Sequence, residues 1–302
     1  EIISSEKTDP SIIPPMAEFL ETTLGKGVVY AKDTPNFIAN RIGVYGMMVT
    51  LDVARKKKIS IEDVDALTGT LIGRPKSATF RTSDIVGLDT MGFVANTAYE
   101  KCTNDTEKDI FIIPEYLQKM VDNKWLGQKS KQGFYKKIDK GVIHSIDLDT
   151  LEYSPQSKKR YAGVRLAKEH TTVGGRVKAL VNSDDIAGQF IWEVTSKALL
   201  YSADRLGEIA DDIVNIDRAM RWGFGWEMGP FEIWDAIGVC ESVSRMKAEN
   251  KLIPGWVSAL ISTGNTTFYK RLDGFNCYWD NNKEDYLPIP VSTKELRFAN
   301  FK

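Results

Sequence analysis

Apolar residues recur at helical spacing in two long stretches of this chain. Phe37, Ile38, Ile42, Tyr45 and Val49 share one stripe, and Phe190, Val194, Ala198 and Tyr201 share another. This spacing predicts amphipathic helices over residues 37–57 and 190–206. Thr34-Pro35 suits the start of the first, as a capping Thr followed by a proline whose φ fits a first turn. Ser60-Ile61-Glu62-Asp63 and Asp211-Asp212-Ile213 each open a further helix with carboxylates at its positive end. Residues 88–101 and 114–123 read as additional helices. The first 32 residues differ. Glu1-Ile2-Ile3 and Val28-Val29-Tyr30 are short apolar runs flanking an amphipathic segment with Met16, Phe19 and Leu20 on one stripe, which Gly25 stops. That order predicts a strand–helix–strand unit. Two strands alone make no stable sheet, so the unit is expected to be the tail of a larger one.

The helical pattern fades over residues 136–182. A Gly- and Lys-rich loop at 127–135 runs into an aromatic strand. Ile143, Ile146, Leu148 and Leu151 then suggest a hairpin, followed by a charge-rich linker that includes Gly174-Gly175. The tail after Asn281, with Leu287-Pro288-Ile289-Pro290, reads as a linker.

The two helical stretches belong to an internal repeat. Phe80 precedes Asp84 by four residues and Gly87 by seven, and Phe231 stands in the same relation to Asp235 and Gly238. Val64-Asp65 matches Ile216-Asp217 at nearly the same offset. A period of about 150 residues is too long for a solenoid and points to a duplicated domain.

Length and charge narrow the function. A chain of 302 residues accommodates two ordinary domains. A formal net charge of −1 leaves no basic footprint for nucleic acid. Cys102, Cys240 and Cys277 show no paired spacing, which suggests reduced thiols. No stretch approaches the roughly 20 apolar residues of a membrane span, and a cytoplasmic location is expected. His144 and His170 have no Asp, Glu or Cys partners at metal or catalytic spacing, so no metal is expected. Gly223-Phe224-Gly225-Trp226-Glu227-Met228-Gly229 is one residue too long for a dinucleotide fingerprint and follows a helical pattern, so it reads as a packing loop.

The motifs Asp33-Thr34-Pro35-Asn36-Phe37-Ile38-Ala39-Asn40-Arg41, Gly73-Arg74-Pro75-Lys76-Ser77-Ala78-Thr79-Phe80-Arg81 and Asp84-Ile85-Val86-Gly87-Leu88-Asp89 resemble the C-terminal domain of 3-hydroxyacyl-CoA dehydrogenases. In the second copy, Met228-Gly229-Pro230-Phe231-Glu232 and Asp235-Ala236-Ile237-Gly238 extend the resemblance to multifunctional fatty-acid oxidation enzymes. The implied fold is mainly α: two tandem helical domains of the dehydrogenase C-terminal type (33–137 and 185–280) behind a βαβ remnant of a Rossmann domain (1–32). A linker with the hairpin (138–184) and a tail (281–302) complete the division.

The resemblance also implies chemistry. The full enzyme oxidises 3-hydroxyacyl-CoA to 3-ketoacyl-CoA by hydride transfer to NAD. Asn40 corresponds to an Asn at the active-site cleft that positions the reacting group and a catalytic His. A side-chain amide suits that task because it both donates and accepts, although by residue type alone Asn40 reads as a capping or surface residue. Glu1 aligns with a Glu that orients the catalytic His, whose own position falls upstream of Glu1. Arg41, Lys76 and Arg81, together with Arg74, are candidates for substrate binding through the phosphates of CoA, or for those of NAD, against an ordinary solvated face. No residue here is assigned to the NAD itself.

The resemblance further implies partners: a Rossmann domain upstream, an enoyl-CoA hydratase domain downstream, and a monomer whose second copy replaces a dimer partner. In that copy Glu193-Val194 stands in place of Asn40-Arg41, so it reads as structural, and the chain alone is expected to be inactive. Two alternatives remain open on the residues: a non-enzymatic helical interaction domain, and the substrate domain of another Rossmann-type hydroxyacid dehydrogenase.

Overall fold

The computed structural model describes residues 1–139, 141–157 and 159–290. The chain opens with strand β1 (Ile2–Ser4), helix α1 (Ile13–Thr22) and strand β2 (Tyr30–Lys32), and β2 pairs parallel with β1. The sheet is fastened to the far half of the chain: the Lys32 N–H donates to the Ile209 carbonyl at 3.0 Å and the Tyr30 N–H to Asn215 Oδ1 at 2.9 Å.

Helix α2 (Ala39–Lys56) follows, then α3 (Ile61–Thr68), α4 (Phe80–Val86), α5 (Leu88–Lys101) and α6 (Glu115–Asp122). The expected start of α2 at Pro35 is displaced to Ala39. Asn36 and Phe37 take φ of 67° and 52°, left-handed values that a right-handed helix cannot include. Ser60 caps α3 as its sequence suggests, accepting from the Asp63 N–H.

An antiparallel sheet of β3 (Tyr135–Asp139), β4 (Val142–Ile146) and β5 (Tyr153–Pro155) comes next. The stretch read as a charged linker then holds two helices, α7 (Ala162–Ala167) and α8 (Val173–Val181). Gly174 suits α8 despite its poor helix propensity, because a Cβ there would stand 2.7 Å from the Cβ of Ala236.

The second half repeats the order. Helix α9 (Ile186–Asp204) leads into α10 (Ile213–Gly223), α11 (Pro230–Ile237), α12 (Val239–Ala248) and α13 (Gly255–Ser262). Strands β6 (Tyr269–Leu272), β7 (Phe275–Asp280) and β8 (Asp285–Pro288) close it as a second antiparallel sheet. Strand β8 occupies part of the expected tail linker; residues 291–302 of that tail lie outside the described residues.

The expectation of a mainly α chain, two helical domains behind a βαβ remnant, is therefore corrected. The chain is 52% helical, and its described residues carry three small sheets, two of them tied into the helical layers. Each antiparallel strand spans only three to six residues. The hairpin expected from Ile143, Ile146, Leu148 and Leu151 falls on β4 and the turn into β5, whereas period-2 alternation in β6, β7 and β8 is too brief to stand out beside helical stripes.

The ties are aspartates, and the same arrangement is built twice. Asp65 of α3 accepts from the Phe80 and Arg81 N–H groups at 2.7 and 3.0 Å and from the Tyr135 hydroxyl at 2.8 Å. Asp217 of α10 accepts from the Phe231 and Glu232 N–H groups at 2.9 and 3.1 Å and from the Tyr269 hydroxyl at 2.9 Å. Asp84 holds the Phe134 and Tyr135 N–H groups at 2.8 and 2.9 Å, and Asp235 holds those of Phe268 and Tyr269 at 2.7 and 2.8 Å. Each aspartate satisfies orphan donors at a helix start or a strand entry. Gly87 and Gly238 then turn the chain with φ of 99° and 97°, conformations that other residues rarely adopt. The spacing shared by the two copies is the spacing of this latch.

The halves meet along α2 and α9, which pack against each other. Tyr45 stacks on Tyr201 with ring centroids 3.7 Å apart. Beside this seam Phe224, just after α10, lies over Gly43 of α2, where a Cβ would fall 2.1 Å from the Phe224 ring. Gly43→Ala must push that ring aside. It is expected to destabilise the chain by about 1–3 kcal/mol, and an unchanged urea midpoint would remove Phe224 from the seam.

The latches also make stability depend on pH. Burial, opposed by the hydrogen bonds they accept, raises Asp65 and Asp84 to about 6 and Asp235 to about 7, from 3.8. Between those values the folded chain holds protons that the unfolded chain has released, so stability falls as pH rises from about 4 to about 7. Urea midpoints should drop between pH 5 and pH 7.5, less steeply in Asp235→Asn; a midpoint that rises over this range contradicts the assignment.

Candidate functional site

The N-terminal end of α2 faces a cleft of about 380 Å³. One wall is the first turns of α2, with Asn40, Gly43 and Met47. A second is the loop before α4, with Arg74 and Ser77, and the third comes from the other half of the chain, with Phe224 and Trp226. A backbone bond from the Glu227 N–H to the Gly73 carbonyl, 2.7 Å long, joins the loops of the two halves.

Asn40 is exposed at this cleft. Helix α2 has no side-chain cap from its own N-cap residue, Ile38. Glu1 supplies the acceptor instead, taking the Ala39 N–H on Oε1 at 2.8 Å. A carboxylate at the positive end of a helix is favourable in charge as well as in hydrogen bonding. Two residues far apart in sequence thus meet at one helix end, with Glu1 bonded to the residue before Asn40.

Arg41 does not belong to the cleft. It is 0% exposed, and its guanidinium is shared between Asp105 at 2.8 Å, Glu208 at 3.1 Å, the Tyr201 hydroxyl and the Cys102 sulfur. Asp105 also accepts from the Tyr201 hydroxyl at 2.6 Å, with Arg205 3.7 Å away. Burial works against ionising Asp105, but Tyr201, the Glu107 N–H, Arg205 and Arg41 together hold its carboxyl below the usual range. Arg41 is shut away from solvent with its Nε, Nη1 and Nη2 groups all engaged by these partners, so the expectation that it binds substrate is corrected: it anchors α2.

Lys76 and Arg81 are exposed and are not among the residues lining the cleft. The Arg81 guanidinium sits 4.9 Å from the Tyr135 ring centre. Their neighbour Arg74 does line the cleft. It stacks 4.2 Å from the Trp226 ring centre, makes no ion pair among the described residues, and has a buried Nε without a partner. Burial pushes it down to about 10. A half-buried cation without a counter-ion among the described residues, beside an open cleft, is a place for a ligand anion. The loop read as packing supplies the ring that holds it. Nothing local in the sequence announces this pairing, because Arg74 and Trp226 lie in different halves.

The glycines of 223–229 pack against protein. A Cβ on Gly229 would fall 2.4 Å from Asp217, and the segment joins two helices. Among the described residues, no group of three or more His, Cys, Asp or Glu is arranged to hold a metal ion, and no helix is long and apolar enough to cross a membrane.

Residues 37–137 match the family model described as 3-hydroxyacyl-CoA dehydrogenase, C-terminal domain. A probable 3-hydroxyacyl-CoA dehydrogenase of Bacillus subtilis is 47% identical over 302 residues, all of this chain and 38% of that protein. A putative fatty acid oxidation complex trifunctional enzyme of Rickettsia felis is 28% identical over 77% of this chain and 31% of its own length. The chain thus spans less than two fifths of either relative. Among solved structures, 3-hydroxybutyryl-CoA dehydrogenase of Escherichia coli K12 matches 87% of this chain and 67% of its own, with a TM-score of 0.53 and 17% identity. At that identity the likeness is one of fold. Residues 37–137 therefore correspond to the C-terminal domain of the 3-hydroxyacyl-CoA dehydrogenase family, and the matches support that family for the chain.

Proposed function

We propose that the chain forms the substrate-binding part of an NAD-dependent (S)-3-hydroxyacyl-CoA dehydrogenase acting in fatty-acid β-oxidation. The observation that carries this reading is Asn40, exposed at a cleft, on a helix end held by Glu1 and next to the unpaired cation of Arg74. NAD, when bound, supplies the hydride acceptor. Among the described residues the glycine-rich stretch 223–229 is filled by packing and offers no cradle for its pyrophosphate, and the cofactor is assigned to a Rossmann domain outside the chain. Within the chain, Asn40 donates its amide N–H to the substrate oxygen and accepts from a neighbouring donor, which fixes the reacting carbon. Arg74 meets an anionic part of the acyl-CoA. Glu1 holds the first turn of α2 and thereby aims Asn40.

The α2–α9 packing supports reading the second half as an internal stand-in for a dimer partner, leaving the chain monomeric. The exposed stripe of α1, with Met16 and Phe19 about half exposed, supports a docking face for the Rossmann domain. An enoyl-CoA hydratase domain downstream fits the trifunctional relative.

Two outcomes test the reading. In the full-length enzyme, Asn40→Ala should lower kcat on the order of 100-fold with a smaller change in KM; unchanged kinetics would remove Asn40 from the site. The chain by itself, mixed with NAD and a 3-hydroxyacyl-CoA, should form no NADH above blank, and clear turnover would contradict the placement of the cofactor site outside it.

A further inference from the structure

A second cleft, of about 870 Å³, lies elsewhere on the chain and shares no lining residue with the Asn40 cleft. Its apolar lining includes Ala66 of α3 with Ala162 and Val164 of α7; Leu67 and Leu71 also line it but are buried. Its rim is cationic: Lys159, Arg160, Arg165, Lys168 and Arg176 all line it. Arg176 is structural, because its guanidinium donates to the carbonyls of Thr70, Leu71 and Thr171. The other four are exposed, and none makes an ion pair among the described residues.

The carboxylates nearest in sequence pairing are already engaged. Asp63 is the only acidic residue lining the cleft among those described, and it is 1% exposed. Its oxygens accept from the Lys159 N–H at 3.1 Å and the Tyr161 hydroxyl at 3.0 Å. Glu62 beside it accepts from the Ser157 N–H at 2.9 Å and the Ser145 hydroxyl at 2.8 Å. These acids hold the segment bearing Lys159 and Arg160 in place instead of pairing with its cations. Four unpaired cations of like charge around one concave site repel one another, and a polyanion relieves that repulsion.

We propose that this cleft binds a soluble amphiphile with a phosphorylated head and an alkyl tail. The phosphate oxygens sit among Lys159, Arg160, Arg165 and Lys168, where the planar arginine forks suit phosphate. The tail lies on Ala66, Ala162 and Val164, the apolar lining residues that are not buried. The volume is that of a small-molecule site, which suits a single molecule. The inference goes beyond the dehydrogenase reading and uses none of its residues.

The test is calorimetric titration of the chain with dodecyl phosphate below its micellar concentration. Inorganic pyrophosphate serves as a head without a tail, and dodecyl maltoside as a tail without phosphate. Saturable binding of dodecyl phosphate is expected, weakening as salt rises. Arg160→Glu/Arg165→Glu should weaken it roughly tenfold or more, while Arg74→Ala, in the other cleft, should leave it unchanged. Arg160→Gln/Arg165→Gln keeps the comparison valid if charge reversal disturbs folding, since both side chains are exposed and unpaired. Equal affinity in wild type and the Gln pair overturns the proposal. So does maltoside binding as tightly as phosphate, an absence of saturable binding, or sedimentation with phosphatidic acid vesicles without binding of the soluble probe. Loss of 3-hydroxydodecanoyl-CoA oxidation in the full-length Asn40 variant, with this binding intact, would separate the two sites.

Discussion

A guanidinium shut away from water must find its counter-charge and its acceptors inside the protein, and Arg41 is in that position. Asp105 and Glu208 supply the charge, and the Tyr201 hydroxyl and Cys102 sulfur take further donors. The partners come from both halves of the chain. Asp105 and Cys102 follow α5, while Tyr201 lies on α9 and Glu208 just beyond it. Removing a partner strands a buried charge, so the pairing fixes where α2 lies against α9 even if it adds little net stability. The residue before Arg41 is Asn40. The seam thereby sets the position of the one side chain on which the proposed chemistry depends.

The same seam brings Phe224 and Trp226 to the cleft, so the half that lacks a counterpart of Asn40 still builds the site. Its corresponding residue, Glu193, pairs with Lys57 at the far end of α2, 3.2 Å away. The aspartate latches, by contrast, are alike in both halves, down to the tyrosine hydroxyl that reaches Asp65 and Asp217. Backbone donors at a helix start need an acceptor wherever the turn occurs. That requirement acts equally on both halves, whereas a reacting group is needed in only one.

This division explains what the sequence made legible. The stripes of α2 and α9 and the spacing of Phe80, Asp84 and Gly87 were readable because local geometry dictates them. That Glu1 caps the first turn of α2 is not legible in the sequence, because the separation of 38 residues from Glu1 to Ala39 hides the contact. The start of α2 was misread because Thr34-Pro35 carries ordinary helix-start chemistry, while the left-handed φ of Asn36 and Phe37 leaves no trace in composition. Helix α8 was missed because Gly174-Gly175 argues against helix, and only the closeness of Ala236 gives the glycine its reason. Arg41 was taken for a ligand contact because arginines are seldom fully buried. The Arg74–Trp226 stack and the cationic cleft at Lys159–Lys168 needed the fold to bring distant or unpaired charges together.

The central claim is that Arg41 and Tyr201 act as one unit joining the two halves. A double-mutant cycle with Arg41→Met and Tyr201→Phe, read by urea unfolding, tests it most directly. The account predicts a coupling energy of about 1–3 kcal/mol, as for groups in one buried network. Costs that add to within about 0.5 kcal/mol would show the two residues to be independent and would contradict it.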